Sequence, residues 1–157
     1  MAGMTQSGKP DLGILLLLAD QEFVRELRAR LAAQGYEDQG RSDGFVFRTL
    51  ADGPTTISRL AERLEITKQG AGQIADDLVR RGYVERRPDP TDARARLLHL
   101  TDRGHAALSA ARRFHRDYER RLRKALGDQA IDTLRDVLTE MTGEAQISTP
   151  HFRAGMF

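Results

Sequence analysis

The sequence contains no cysteine, which removes structural disulfides, cysteine-ligated zinc, thiol catalysis and thiol-based peroxide sensing in a single step. Lysine is scarce: only Lys9, Lys68 and Lys124 occur, so arginine carries most of the positive charge. Its forked guanidinium suits phosphates and base edges better than a point-charge ammonium does. Aromatic residues make up 6%, beside 39% hydrophobic and 31% charged residues, a balance that describes a folded, helix-leaning chain rather than a disordered one. The net charge is only +2, too small to point to nucleic acid by itself. The apolar run from Leu12 to Ala19 leads straight into the charged segment from Asp20 to Arg30 and falls well short of the roughly 20 residues of a membrane span. It reads as the start of a buried helix, and a cytoplasmic protein with no membrane partner is expected. His99, His105, His115 and His151 show no metal-ligand spacing. There is no phosphate loop, dinucleotide fingerprint or catalytic triad pattern. We therefore expect no metal site, no cofactor and no enzymatic activity.

At 157 residues the chain is long enough for one domain, residues 1–157, with a real core. From Asp11 to Gln34 the residues Leu16, Phe23, Leu27 and Leu31 share one helical face, and Gly35 suits the cap. After a polar bend, Phe45, Val46 and Leu50 suggest a short helix ending near Gly53 and Pro54. Ile57, Leu60, Ala61 and Leu64 then repeat at i, i+3, i+4 and i+7 behind a Thr55 or Thr56 cap. Thr67 caps a further helix carrying Ala71, Ile74, Ala75 and Leu78, and Gly82 stops it. Tyr83 to Arg87 and Arg96 to Leu100 read as strands around a Pro- and Asp-containing tip. Thr101 opens a long helix with Leu108, Ala111, Phe114, Tyr118 and Leu122, and Asp128 opens another with Ile131, Leu134, Leu138 and Met141. The residues after Gly143 read as a loosely ordered tail.

Two short helices followed by a basic hairpin are a physical recipe for DNA, with one helix in the major groove and the hairpin reaching the adjacent minor groove. With Ala71, Ile74, Ala75 and Leu78 inward, the opposite face of that helix displays Lys68, Gln69, Gly72, Gln73 and Asp76. Glutamine can pair with adenine through two hydrogen bonds, and lysine reaches guanine acceptors or a phosphate. Gly70 and Gly72 cost on the order of 1 kcal/mol each relative to alanine inside a helix. Close approach to DNA or to a neighbouring helix would explain them, and so would an irregular first turn. At the hairpin tip Arg86, Arg87, Arg94 and Arg96 surround Asp89 and Asp92, with Asp92 placed to hold Arg94. A solvated polar face and an ordinary charged turn are the plainer readings of the same residues. Seven cations between Arg112 and Lys124, against Asp117 and Glu119, fit a solvated helix face.

The segment TKQGAGQIADDLVRRGYVERRPDPTDARARLLHLT, Thr67 to Thr101, resembles the multiple-antibiotic-resistance regulator (MarR) family in both helix and wing. Leu78, Gly82 and Arg86 match its helix pattern, and Asp92, Arg94, Leu100 and Thr101 its wing signature. The resemblance implies a mainly α fold with a small β-hairpin wing: a winged helix-turn-helix over residues 45–101, flanked by long dimerisation helices at 11–35 and 102–143. It places the Thr67 to Arg81 helix in the major groove and Arg94 in the minor groove, with Asp92 in support. Thr67, Lys68, Gln69, Gly72, Gln73, Arg86, Asp92, Arg94 and Arg96 form the candidate DNA-binding set.

The function this implies is a homodimeric, sequence-specific DNA-binding transcriptional regulator. Its partners would be a pseudo-palindromic double-stranded operator and a second copy of itself. The resemblance further implies a repressor modulated by a small aromatic or acidic effector. The alternative is a ligand-blind winged-helix module acting as an architectural or protein-binding adaptor. The apolar faces at both chain ends exceed what a lone winged helix covers, which favours self-association independently.

Overall fold

A computed structural model describes residues 9–40 and 42–142; the tail after Gly143, with His151, Phe152 and Phe157, lies outside them. Among the described residues there are six helices and one hairpin, in the order α1 (Leu12–Ala32), α2 (Asp43–Ala51), α3 (Ile57–Leu64), α4 (Lys68–Arg80), β1 (Val84–Pro88), β2 (Arg96–Leu100), α5 (Asp102–Leu126) and α6 (Asp128–Thr142). This mainly helical architecture with a two-stranded antiparallel wing is the expected one. No helix among the described residues is long and apolar enough to cross a membrane. The chain separates into two compact units, one up to Gln39 and one from Gly40 onward.

In the first unit α1 closes on Gly35, whose φ of +86° is open to glycine without penalty. The Tyr36 N–H donates to the Leu31 carbonyl and the Gly35 N–H to that of Ala32, the paired bonds of a Schellman motif. Leu31 is buried, while Leu12, Ile14, Leu15, Leu17 and Leu18 are exposed.

The core of the second unit is built by side chains at the spacings read from the sequence. Leu60, Ala61 and Leu64 of α3 and Ala71, Ala75 and Leu78 of α4 are buried against one another's helices. The caps explain where these helices begin. Thr56 accepts from the Arg59 N–H, and Thr67 from the Gly70 N–H at 3.0 Å. Of the two threonines proposed for the first cap, Thr56 takes it. Thr55 instead forms an antiparallel bridge to Leu98, donating at 3.3 Å and accepting at 2.8 Å. The turn between α3 and α4 has a Schellman form with Glu65 in its left-handed position, φ +51°.

Gly82, φ +77°, ends α4, and the chain enters β1 beside the fully buried Tyr83. β1 and β2 pair in register from Val84 with Leu100 to Pro88 with Arg96. Tyr83 packs on Phe47 of α2 with ring centroids 5.3 Å apart, and its carbonyl accepts from the Thr101 N–H. Thr101 then caps α5 by accepting from Gly104 at 3.1 Å and donates its own hydroxyl to the Gly82 carbonyl. A Cβ on Gly104 would lie 2.2 Å from the Tyr83 carbonyl oxygen, so only glycine permits this close seating of α5 on the hairpin. Along α5, Ala107, Leu108, Ala110 and Phe114 are buried. On α6 only Ile131 is buried, and Leu134, Val137, Leu138 and Met141 remain exposed.

Candidate nucleic-acid interface

The exposed side of α4 carries Thr67, Lys68, Gln69, Gln73 and Asp76, with Gly72 half-buried between them. The helix starts cleanly, because the Thr67 hydroxyl oxygen is already satisfied by the Gly70 N–H, leaving its own O–H to donate outward. A Cβ on Gly70 would meet that hydroxyl at 3.2 Å, whereas one on Gly72 would meet nothing within 4 Å. The first turn is thus regular, and no neighbouring helix approaches Gly72.

The wing tip is a built turn rather than a loose loop. Asp89 accepts from both the backbone N–H and the hydroxyl of Thr91, at 2.8 and 2.7 Å. The backbone bond chiefly, with the hydroxyl bond behind it, holds the Asp89 carboxyl below the usual carboxylate range. The Asp89 N–H donates to the Ala95 carbonyl, and the Ala95 N–H to that of Asp92. Asp92 does hold Arg94, but through the Arg94 backbone N–H at 3.0 Å. The guanidinium of Arg94 is left exposed, as is that of Arg96.

Charge pairing divides the candidate cations. Arg86 is tied across to Asp76 of α4 at 2.5 Å, which braces the wing against that helix, and Arg87 pairs with Glu85. Lys68, Arg94 and Arg96 have no ion-pair partner among the described residues, and the amides of Gln69 and Gln73 are equally uncommitted there. Positive charge and paired donor–acceptor amides are therefore available on one helix face and on the adjacent hairpin tip. That combination can neutralise phosphates and read base edges.

Several contacts that shape this surface carry no signal in the sequence. Asp43, 2% exposed, receives a forked bond from Arg81 at 2.7 and 3.3 Å and the Gly40 N–H at 2.7 Å. Arg81 also donates through Nε to Asp77 at 2.8 Å. Its hydrogen bond to Asp43, more than the opposing effect of burial, raises the guanidinium further above its ordinary range. This network fastens the end of α4 to the start of α2. The run of cations on α5 is taken up in ion pairs toward its C-terminal end, at Arg120 and Arg123. Arg123 bonds Glu119, Asp128 and Asp132, Arg135 bonds Glu119 at 2.6 Å, and Arg120 pairs with Asp117. Elsewhere, Arg48 of α2 lies 3.3 Å from Nε2 of His115 on α5. Burial, then the Arg48 charge, holds His115 below its ordinary range.

Comparison with known proteins gives this geometry its relatives. The sequence model of the MarR family matches residues 41–95. Over 154 residues the chain is 29% identical to the HTH-type transcriptional regulator PetP of Rhodobacter capsulatus, spanning 90% of this chain and 93% of PetP. A cysteine-to-serine mutant of MarR from E. coli, solved in complex with operator DNA, aligns with a TM-score of 0.65 at 26% identity, over 84% of this chain and 94% of that one. Streptococcus pneumoniae FabT, solved in complex with DNA, shares the fold with a TM-score of 0.68 at 22% identity, over 83% and 91% of the two chains.

Proposed function

The chain belongs to the MarR family of winged-helix transcriptional regulators, and from that premise we propose that it acts in the cytoplasm as a homodimeric, sequence-specific DNA-binding repressor relieved by a small-molecule effector. The observation that carries the DNA assignment is the division of charge. Lys68, Arg94 and Arg96 stand exposed and without ion-pair partners among the described residues, while neighbouring arginines are spent on carboxylates. In this reading α4 enters the major groove, with Gln69 and Gln73 on base edges and Thr67 and Lys68 on phosphate or guanine. Arg94, on a backbone turn fixed by Asp92, enters the minor groove, Arg96 stands beside the backbone, and Arg86, held by Asp76, braces the wing against α4. That the MarR relative was solved with operator DNA supports a DNA partner for this chain.

Dimerisation is assigned to residues 11–35 and 102–143. The exposed stripe Leu134, Val137, Leu138 and Met141 on α6, at i, i+3, i+4 and i+7, and the exposed leucines of α1 support it. Two-fold symmetry would then set the α4 helices about 34–36 Å apart and favour a pseudo-palindromic site. The effector is an aromatic or acidic small molecule that stabilises one dimer geometry over the other. Fluorescence anisotropy of the full-length protein against its own upstream intergenic DNA and a scrambled duplex, across about 50 to 200 mM salt, tests the central claim. Preference for the native duplex that persists as salt rises is expected. Equal, salt-labile binding to both duplexes would overturn it.

A further inference from the structure

Resting on the DNA-reading assignment of α4, we propose that Gly72 is a specificity determinant: a bare backbone notch that lets a base-pair edge approach the helix closer than any residue with a Cβ allows. Gln69, Gly72, Gln73 and Asp76 follow one another at i, i+3, i+4 and i+7 and so form a single stripe along α4. Gly72 sits at its centre. Asp76, at the far end, pairs with Arg86 of the wing at 2.5 Å, and the buried Ala71, Ala75 and Leu78 on the opposite side fix how the stripe faces.

The two glycines of α4 differ in what accounts for them. Gly70 abuts the capping hydroxyl of Thr67 at 3.2 Å, with Ile66 behind at 3.8 Å. Gly72 lies in the helix interior, where glycine weakens helix formation about fivefold relative to alanine. No atom of the chain among the described residues would touch its Cβ. The cost therefore has no internal compensation, and the open side is the side that displays the two glutamines.

The length scales show why a methyl there would matter. A Cβ projects about 1.5 Å from its Cα. A rise of about 1 Å would stretch glutamine–base hydrogen bonds from roughly 2.9 Å beyond the 3.5 Å at which such bonds fail. An added methyl would thus cost the flanking contacts as well as its own space, and would leave phosphate contacts by longer, flexible side chains largely intact.

The test compares full-length parent, Gly72→Ala and, as control, Gly44→Ala, since Gly44 of α2 also faces open space. Each is measured by thermal unfolding and by anisotropy against a duplex that the parent selects from a randomised library, and against a scrambled duplex. The expected result is that Gly72→Ala unfolds at a higher temperature yet binds the selected duplex at least about tenfold more weakly, with scrambled-duplex binding unchanged. Gly44→Ala should bind both duplexes as the parent does. Selected-duplex affinity within about twofold of the parent for Gly72→Ala would overturn the proposal. So would an equal loss in Gly44→Ala, or a lowered unfolding temperature for Gly72→Ala, which would reveal an internal reason for the glycine. A parent that shows no preference for any duplex would instead refute the DNA-reading assignment itself.

Discussion

The tip of the wing and the junction of α5 with α6 are both rich in arginine, yet they are in opposite electrostatic states. On α5 and α6, Arg123 and Arg135 converge on Glu119, and Arg123 also reaches Asp128 and Asp132. On the wing, Asp89 and Asp92 spend their carboxylates on backbone N–H groups and on the Thr91 hydroxyl, so Arg94 and Arg96 stay exposed. A carboxylate satisfied by its own turn shapes a cationic loop without neutralising it. Charge count along a sequence is thus a poor guide to a DNA surface, and what matters is which anions are already committed.

The largest expected effect separates holding the surface from being the surface. Asp43→Ala takes the buried carboxylate away from the half-buried Arg81 while the Asp77 pair remains, and removing one member of a buried pair costs about 3–5 kcal/mol. Because Asp77 remains, urea denaturation should show a loss toward the lower end of that range. A variant as stable as the parent would mean that the α2–α4 clasp contributes nothing. Next comes the direct contrast. Arg94→Ala should weaken operator binding about tenfold and reduce the salt slope by about 1, with an unchanged unfolding temperature. Arg135→Ala, taken from the paired region, should leave affinity where it was. Equal losses in both would erase the distinction between the two regions.

A smaller effect concerns the turn that presents α4. Glu65 occupies a left-handed conformation that is unfavourable for a residue with a Cβ. Glu65→Gly should raise stability by up to about 1 kcal/mol, offset in part by glycine's freedom in the unfolded chain, with DNA affinity unchanged. Smallest is the effect of pH. Burial, then Arg48, depresses His115 in the folded state, so between its ordinary value of about 6.5 and its lower folded value the unfolded chain binds more protons. The contribution is present above about pH 6.5 and is lost as pH falls through the folded value. Thermal unfolding across that range should show this decline in the parent and a shallower one in His115→Gln. Identical slopes would remove His115 from the account.

Much of this was legible in the sequence because helix periodicity and end signals agree. Thr67, Thr101, Gly35 and Gly82 mark the ends where α4, α5 and α1 start or stop, and the wing strands follow the apolar pattern of Val84, Leu98 and Leu100. The exposed face of α4 was equally readable, since it is the complement of Ala71, Ala75 and Leu78. What stayed hidden depends on contacts between distant segments. Arg81 and Asp43 are far apart in sequence, and nothing local marks them as partners. Thr55 and Thr56 are equivalent as caps until Leu98 arrives to pair with Thr55. The Asp92 contact with Arg94 was visible as an adjacency, but whether it engages the side chain or the backbone is decided by the fold of the turn.

The Thr55–Leu98 bridge ties the segment entering α3 to the returning strand of the wing, and the Arg86–Asp76 pair ties the outgoing strand to α4. The two ends of the reading surface are therefore jaws of a single calliper with a set opening. The span from α4 to the wing tip is thus set by contacts at both strands of the hairpin. On the proposed function, an operator can vary in bases and be scored base by base, but one whose groove spacing departs from that opening loses helix and wing contacts together.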